Sequence, residues 1–341
     1  MTPISRLLAA LALGALGAPV LAAPAVAAGE VNVYSTREPQ LIDPIFDAFT
    51  AKTGITVNSV FLKSGFVERL KAEGLRSPAD LIMTVDIGNL KAAADAGITQ
   101  PVSSAALDAV PAAFRDPEGR WYALTARARI AYASKDRIGP DEITTYEDFA
   151  DPKWKGRICT RSGAHAYNLA LTAAYIGHHG EAAAEAWLSG VKANLARKPQ
   201  GNDRAQVKAV WAGECDLAIG NTYYMAAMLK EPEQAAWADS VRIVFPRFEG
   251  HGAHMNISGV AMTAAAPHKE NAIKLMDYLV SPEGQSLYAE LNAEYPVVPG
   301  VAPSDLVASW GEFPVDDLPL SEIADLRGAA LKLIQIVDFD E

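Results

Sequence analysis

A short β-branched or apolar run, a polar loop, then an amphipathic stretch with Ala and Leu at helical spacing recur from residue 31 onward, and this unit restricts the chain to α/β folds. Residues 31–34 (Val-Asn-Val-Tyr) read as a strand, 35–40 as a loop and 41–52 as a helix ended by Gly54. The unit repeats at 79–85 with a helix over 90–96, at 157–160 with a helix over 166–176, and at 216–219 with a helix from about Tyr223. In such sheets ligands bind beyond the carboxyl ends of the strands, so the loops of these units are where site residues belong. A further strand at 125–132 comes after enough chain for one lobe, and the pattern returns to a strand at 257–262 and a helix at 271–280. The spacing predicts two lobes, residues 29–126 with 250–303 and residues 127–249 with 304–341, each a mixed sheet flanked by helices. The crossings between them make a hinge beside a cleft.

The start of the chain predicts where it works. Residues 1–28 carry one basic residue, Arg6, no acid, and an apolar run over 7–23 interrupted by Gly14, Gly17 and Pro19. That is the pattern of a secretory signal cleaved near Ala27 or Ala28, so the mature chain is expected to be exported. Export gives meaning to Cys159 and Cys215, the only two cysteines: an oxidising compartment would join them, the alternative being two buried thiols. No cysteine stands at the cleavage site to carry a lipid. The net charge of -11 opposes nucleic acid as a partner, and neither a Gly-x-Ser-x-Gly turn nor a phosphate-binding loop is present.

The sharpest chemical feature is Asn221-Thr222-Tyr223-Tyr224 at a strand-to-helix turn. With Asn221 or Thr222 as N-cap, both tyrosines fall in a first turn, beside unpaired N–H groups and the positive end of the helix dipole, which favours phenolate. Tyr167 lies in a second such turn, two residues after His165. A Tyr-Tyr pair also serves in packing, but three phenols without cysteine suit a hard, highly charged cation, and ferric iron is the natural candidate. Arg37 and Arg129, with Arg127 nearby, fall in cleft loops or at the hinge. They would clamp a bidentate anion such as carbonate that completes the metal's coordination, or else pair with carboxylates such as Glu38 and Asp86. His251 and His254 lack a third ligand close in sequence, and His178-His179 reads as a solvated helix end.

Matching motifs run along nearly the whole exported chain: Val33-Tyr34-Ser35-Thr36-Arg37, residues 68–74, Ser77-Pro78-Ala79-Asp80, Arg127-Ala128-Arg129, residues 151–157, Pro199-Gln200-Gly201-Asn202-Asp203, Asn221-Thr222-Tyr223-Tyr224-Met225 and Glu294-Tyr295-Pro296-Val297. In these the sequence resembles the periplasmic ferric-iron-binding proteins of ABC transporters, in the type II periplasmic binding protein superfamily. The resemblance implies Fe(III) bound by Tyr167, Tyr223 and Tyr224, a synergistic anion held by Arg37 and Arg129, and delivery to an inner-membrane permease by a monomer that catalyses nothing. Some members of that family have His-Tyr after the Tyr-Ser-x-Arg motif as further ligands; this chain has Glu38-Pro39, which leaves three phenolates plus an anion, with Glu38 as a direct or water-mediated addition. Two alternatives stand beside this reading. The first is an organic solute, such as a polyamine, thiamine or a small carboxylate, against a wall of Tyr223 and Tyr224. The second is a secreted hydrolase using Asp80, Asp86 or Glu38.

Overall fold

The structure, a computed structural model, describes residues 29–341, so the expected signal segment lies outside the described residues. The first half opens with β1 (Glu30–Ser35), α1 (Pro39–Thr53), β2 (Thr56–Phe61), α2 (Phe66–Glu73), β3 (Leu81–Thr84), α3 (Ile87–Asp95) and β4 (Thr99–Gln100). A long strand, β5 (Tyr122–Ser134), then leads into β6 (Ile158–Cys159), α4 (Ala166–His179), α5 (Glu181–Ala193), α6 (Asp203–Trp211), β7 (Leu217–Asn221), α7 (Tyr223–Leu229), α8 (Pro232–Asp239) and β8 (Val241–Val244). The chain returns through β9 (Met255–Thr263), α9 (Lys269–Val280), α10 (Pro282–Asn292) and β10 (Tyr295–Pro296) and ends in α11 (Asp305–Ala308), α12 (Leu320–Asp325) and α13 (Arg327–Ile336). Each strand and helix read from the sequence is present, with ends moved by a few residues.

Alternation within the strands builds the first half around two apolar layers. Val31, Val33, Leu81 and Met83 point to the side covered by Ile42, Phe46 and Phe49 of α1 and by α9. Tyr34 and Ile82 point the other way, toward Phe66 and Leu70 of α2 and Leu90 of α3, as a period of two requires. The strand order is β2-β1-β3-β9-β5-β7-β6, with β1, β2 and β3 parallel and β9 antiparallel to both β3 and β5. Helix α1 stops at Gly54, whose φ of 74° is the left-handed conformation that closes a helix without a Cβ clash.

Strand β5 joins the two halves by changing partner midway. Tyr122 to Ala128 pair with β9, whereas Arg129 to Ser134 pair with β7 and β8. The core of the second half packs Ile130, Tyr132, Leu217 and Ile219 from the sheet against Ala173, Trp187 and Val207 from the helices. The tail helices α12 and α13 lie on α4 and α5, and α12 also reaches α3, where Lys91 meets Asp325 at 2.8 Å.

Cys159 and Cys215 are joined in a disulfide, tying the end of β6 to the turn before β7 across 56 residues of chain. Closing a loop of that length removes much of the unfolded chain's freedom, so the Cys159→Ala/Cys215→Ala pair is expected to lower unfolding free energy by about 2–4 kcal/mol, read from urea denaturation.

Candidate functional site

Two successive strand-loop-helix units aim their first helical turns at the same space. Tyr167 opens α4 behind His165, which holds the N-cap position in extended conformation and accepts the Tyr167 N–H on Nδ1 at 3.2 Å. Tyr223 and Tyr224 make the first turn of α7, directly after β7. The phenol oxygens of Tyr167 and Tyr223 are 3.1 Å apart, and the rings of Tyr223 and Tyr224 lie 4.3 Å apart between centroids. The N-cap of α7 is one of the two residues expected, but no side chain caps it. Thr222 sits at the N-cap in helical conformation, its hydroxyl buried without a partner, while Asn221 turns its side chain to Arg129.

These phenols face a cavity of about 460 Å³ between the halves, with Thr36, Arg37, Glu38, Lys63 and Glu294 on one wall and Arg161, Tyr167, Tyr223 and Tyr224 on the other. Arg127 reaches the same space from β5. A larger cavity, about 600 Å³ beside Pro101, Asp116 and Tyr122, contains none of these groups.

The arginines divide by position. Arg37 lines the cleft and is bound through Nη2 to both carboxylate oxygens of Glu294 at 2.9 and 2.8 Å, and Thr125 donates to the same carboxylate at 2.6 Å. Arg127 donates to Ser258 at 3.2 Å and to the Val85 carbonyl, while its Nε has no partner. Arg129 lies behind the cleft wall. Its two Nη atoms donate to Asp203 at 2.7 Å, Asn221 at 3.0 Å and Asn168 at 2.6 Å, so it braces the starts of both tyrosine-bearing helices. Arg161 lines the cleft, places its guanidinium 5.2 Å from the Tyr167 ring centre and donates to the other oxygen of Asp203 at 3.0 Å. Glu38 stands at the exposed mouth and accepts from Gln40 at 2.6 Å.

Three members of this network escaped the sequence reading: Arg161, Asn168 and Asp203. Each sits in or beside the loop before a helix, the same local signal that marked the tyrosines. Asp203 is fully buried, is the first residue of α6, and also accepts the Asn221 N–H at 2.9 Å.

The protonation of the phenols corrects another expectation. Burial, reinforced by the neighbouring Tyr167 and Tyr224, pushes Tyr223 well above the ordinary phenol range, and burial with Asp203 nearby pushes Tyr224 up to about 12. The helix ends do not win: desolvation of a phenolate in an ion-free cleft outweighs a partial positive charge. Tyr223 and Tyr224 are neutral until a cation enters.

A family model described as bacterial extracellular solute-binding protein matches residues 76–311. The chain belongs to this family. Iron uptake protein A1 of Synechocystis sp. is 43% identical over 309 residues, covering 89% of this chain and 86% of its own. Among solved structures, apo ferric ion-binding protein A of Pasteurella haemolytica superposes with a TM-score of 0.88 at 49% identity, covering 92% of this chain and 98% of that one. A Trichodesmium protein solved in complex with iron and citrate superposes with a TM-score of 0.87 at 44% identity, covering 91% of this chain and all of that one, 100%. The family fold is the two-lobed α/β arrangement described above.

Asp80 and Asp86 have other employment. Asp80 accepts from the Asn32 N–H at 2.8 Å and lies 3.1 Å from the His268 ring, and Asp86 caps α3 through the Asn89 N–H at 3.3 Å. Neither lines the cleft.

Proposed function

We propose that this solute-binding protein captures Fe(III) outside the cytoplasm with the phenolates of Tyr167, Tyr223 and Tyr224 and delivers it to an inner-membrane ABC permease, catalysing no reaction. The observation that carries the reading is the convergence of three phenol side chains from two helix starts into one arginine-rimmed cleft. Relatives more than 40% identical along nearly the whole chain are iron-uptake and ferric-ion-binding proteins by name, which disfavours the organic-solute alternative.

Charge balance supports an accompanying anion. Three phenolates offset the ferric charge, and a bidentate dianion such as carbonate would fill further coordination positions while facing cationic Arg127 and Arg161. Arg37 stands on the opposite wall, its charge already shared with Glu294. Arg129, read from the sequence as an anion clamp, supports the tyrosines from behind in this reading, and Glu38 at the mouth adds a direct or water-mediated carboxylate. Closure would bring the lobe of 29–126 and 250–303 onto the lobe of 127–249 and 304–341, hinged where β5 changes partner, and a single closed monomer is the form offered to the permease.

Titrating the iron-free protein with ferric citrate is expected to produce a phenolate-to-iron charge-transfer band that saturates at one ion per chain. Tyr223→Phe should shift or weaken that band and lower affinity by about 100-fold, the scale of losing one of several anionic ligands. A folded protein that shows no band with carbonate present would overturn the reading.

A further inference from the structure

Tyr167 lies at one end of α4 and His178 at the other, eleven residues on and so about 16 Å away along the axis. The His178 end is not a solvated terminus. Its side chain is 5% exposed, and Nε2 lies 2.8 Å from Oδ1 of Asp316, whose side chain is 3% exposed. The imidazole of His251 lies against His178 with 4.1 Å between ring centres and the planes tilted by 37°. One ligand atom from each of these three residues falls within 4.8 Å of the other two, the one such group of three His, Cys, Asp or Glu side chains among the described residues.

Three separate chain segments meet here under backbone control. Asp316 is fixed beside the 248–254 linker because Ala253 N donates to the Pro314 carbonyl at 2.8 Å and Asp316 N donates to the Ala253 carbonyl at 3.0 Å. Gly252 permits the approach: a Cβ there would fall 2.1 Å from the Val315 carbonyl carbon. The second carboxylate oxygen of Asp316 is buried without a hydrogen-bond partner, although a buried polar atom of this kind is costly. His251 places Nδ1 3.0 Å from Asp317, which leaves Nε2 turned to other work. A carboxylate on the far ring nitrogen is the usual way a metal-bound imidazole is oriented.

We propose that His178, His251 and Asp316 form a second metal site, apart from the tyrosine cleft, that takes a borderline divalent cation of the zinc class. Two imidazole nitrogens and one carboxylate oxygen are a zinc donor set, whereas calcium and magnesium prefer oxygen alone and ferric iron prefers phenolate. Tetrahedral bonds of about 2.0–2.1 Å hold ligand atoms about 3.3–3.5 Å apart, so the donors need to move by about 1 Å or so. The helix C-terminus adds favourable negative potential. The ion would staple the end of α4, the linker into β9 and the chain leading to α12, which makes its role structural.

The site stands independently of the Fe(III) reading, and the test separates them. Chelator-stripped mature protein is titrated with Zn(II) against a chromophoric competitor, in wild type, His251→Ala, Asp316→Asn and Tyr223→Phe, with thermal unfolding followed in parallel. Wild type and Tyr223→Phe should each bind one zinc and gain at least about 3 °C in Tm at zinc well above Kd. His251→Ala, at a half-exposed position that the fold tolerates, and Asp316→Asn should each weaken binding at least about 30-fold and lose the Tm gain. No zinc binding by folded wild type, binding that survives His251→Ala, or binding that disappears in Tyr223→Phe would each overturn the proposal.

Discussion

At a fixed free concentration of the accompanying anion, apparent Fe(III) affinity should fall about 1000-fold for each unit that the pH drops between about 8 and 5, read as a slope of three in log affinity for the free ion against pH. The direction follows from the state of the phenols. In the ion-free protein burial places Tyr223 well above the ordinary range and Tyr224 at about 12, so both are protonated throughout that window. Coordination requires them ionised, and each therefore gives up one proton for every iron bound. Because the window lies below the phenol range of the ion-free protein, the dependence does not level off within it. Tyr167→Phe removes one exchanging proton and should reduce the slope from three to two. A wild-type slope of one or less would mean that at most one phenolate is formed, which is incompatible with the three-tyrosine site. The chemistry would suit a carrier: with Tyr223 and Tyr224 neutral in the absence of the ion, the site would not present their negative charges to other cations, yet would hold a ferric ion strongly once the charge of that ion drove the protons off.

The tyrosines were legible in the sequence because their placement is local. A strand, a short loop and the start of a helix fix where Tyr167, Tyr223 and Tyr224 point without knowledge of the rest of the chain. The division of labour among the arginines was not legible, for a physical reason visible in β5. Arg127 and Arg129 are two residues apart and so share one face of the strand, but the strand changes partner between Ala128 and Arg129. The first residue thus reaches the cleft while the second faces Asn168, Asn221 and Asp203 behind it. The phenol protonation depended in the same way on packing, since a helix-end field is visible in sequence and the loss of water around a ring is not. His178 was misread because the residue that covers it, Asp316, arrives from 138 positions away.

Asp203→Asn is expected to lower unfolding free energy by about 3–5 kcal/mol and to blunt the iron charge-transfer band, although Asp203 itself does not face the cleft. Its carboxylate is fully buried and accepts from Arg129, Arg161 and the Asn221 backbone at 2.7, 3.0 and 2.9 Å. An amide of the same shape keeps one acceptor oxygen but turns an NH2 group toward donors, leaving the buried guanidinium of Arg129 and the cleft-lining one of Arg161 without a counter-charge. That is the costly way to break an ion pair, because the surviving charges remain out of water. The α6 N-terminus, where Asp203 sits, helps only the ionised form. At the exposed Lys52–Glu283 pair, Glu283→Gln should leave the denaturation midpoint in place, since solvent screens both partners. The spectroscopic effect has a separate origin from the stability loss. Arg129 braces Asn168, next to Tyr167, and Asn221, two residues before Tyr223, so a guanidinium released from Asp203 loosens both helix starts at once. If Asp203→Asn unfolded at lower denaturant but bound iron with an unchanged band and affinity, the network would be a stability element alone, and the tyrosines would owe their convergence to α4 and α7 without it.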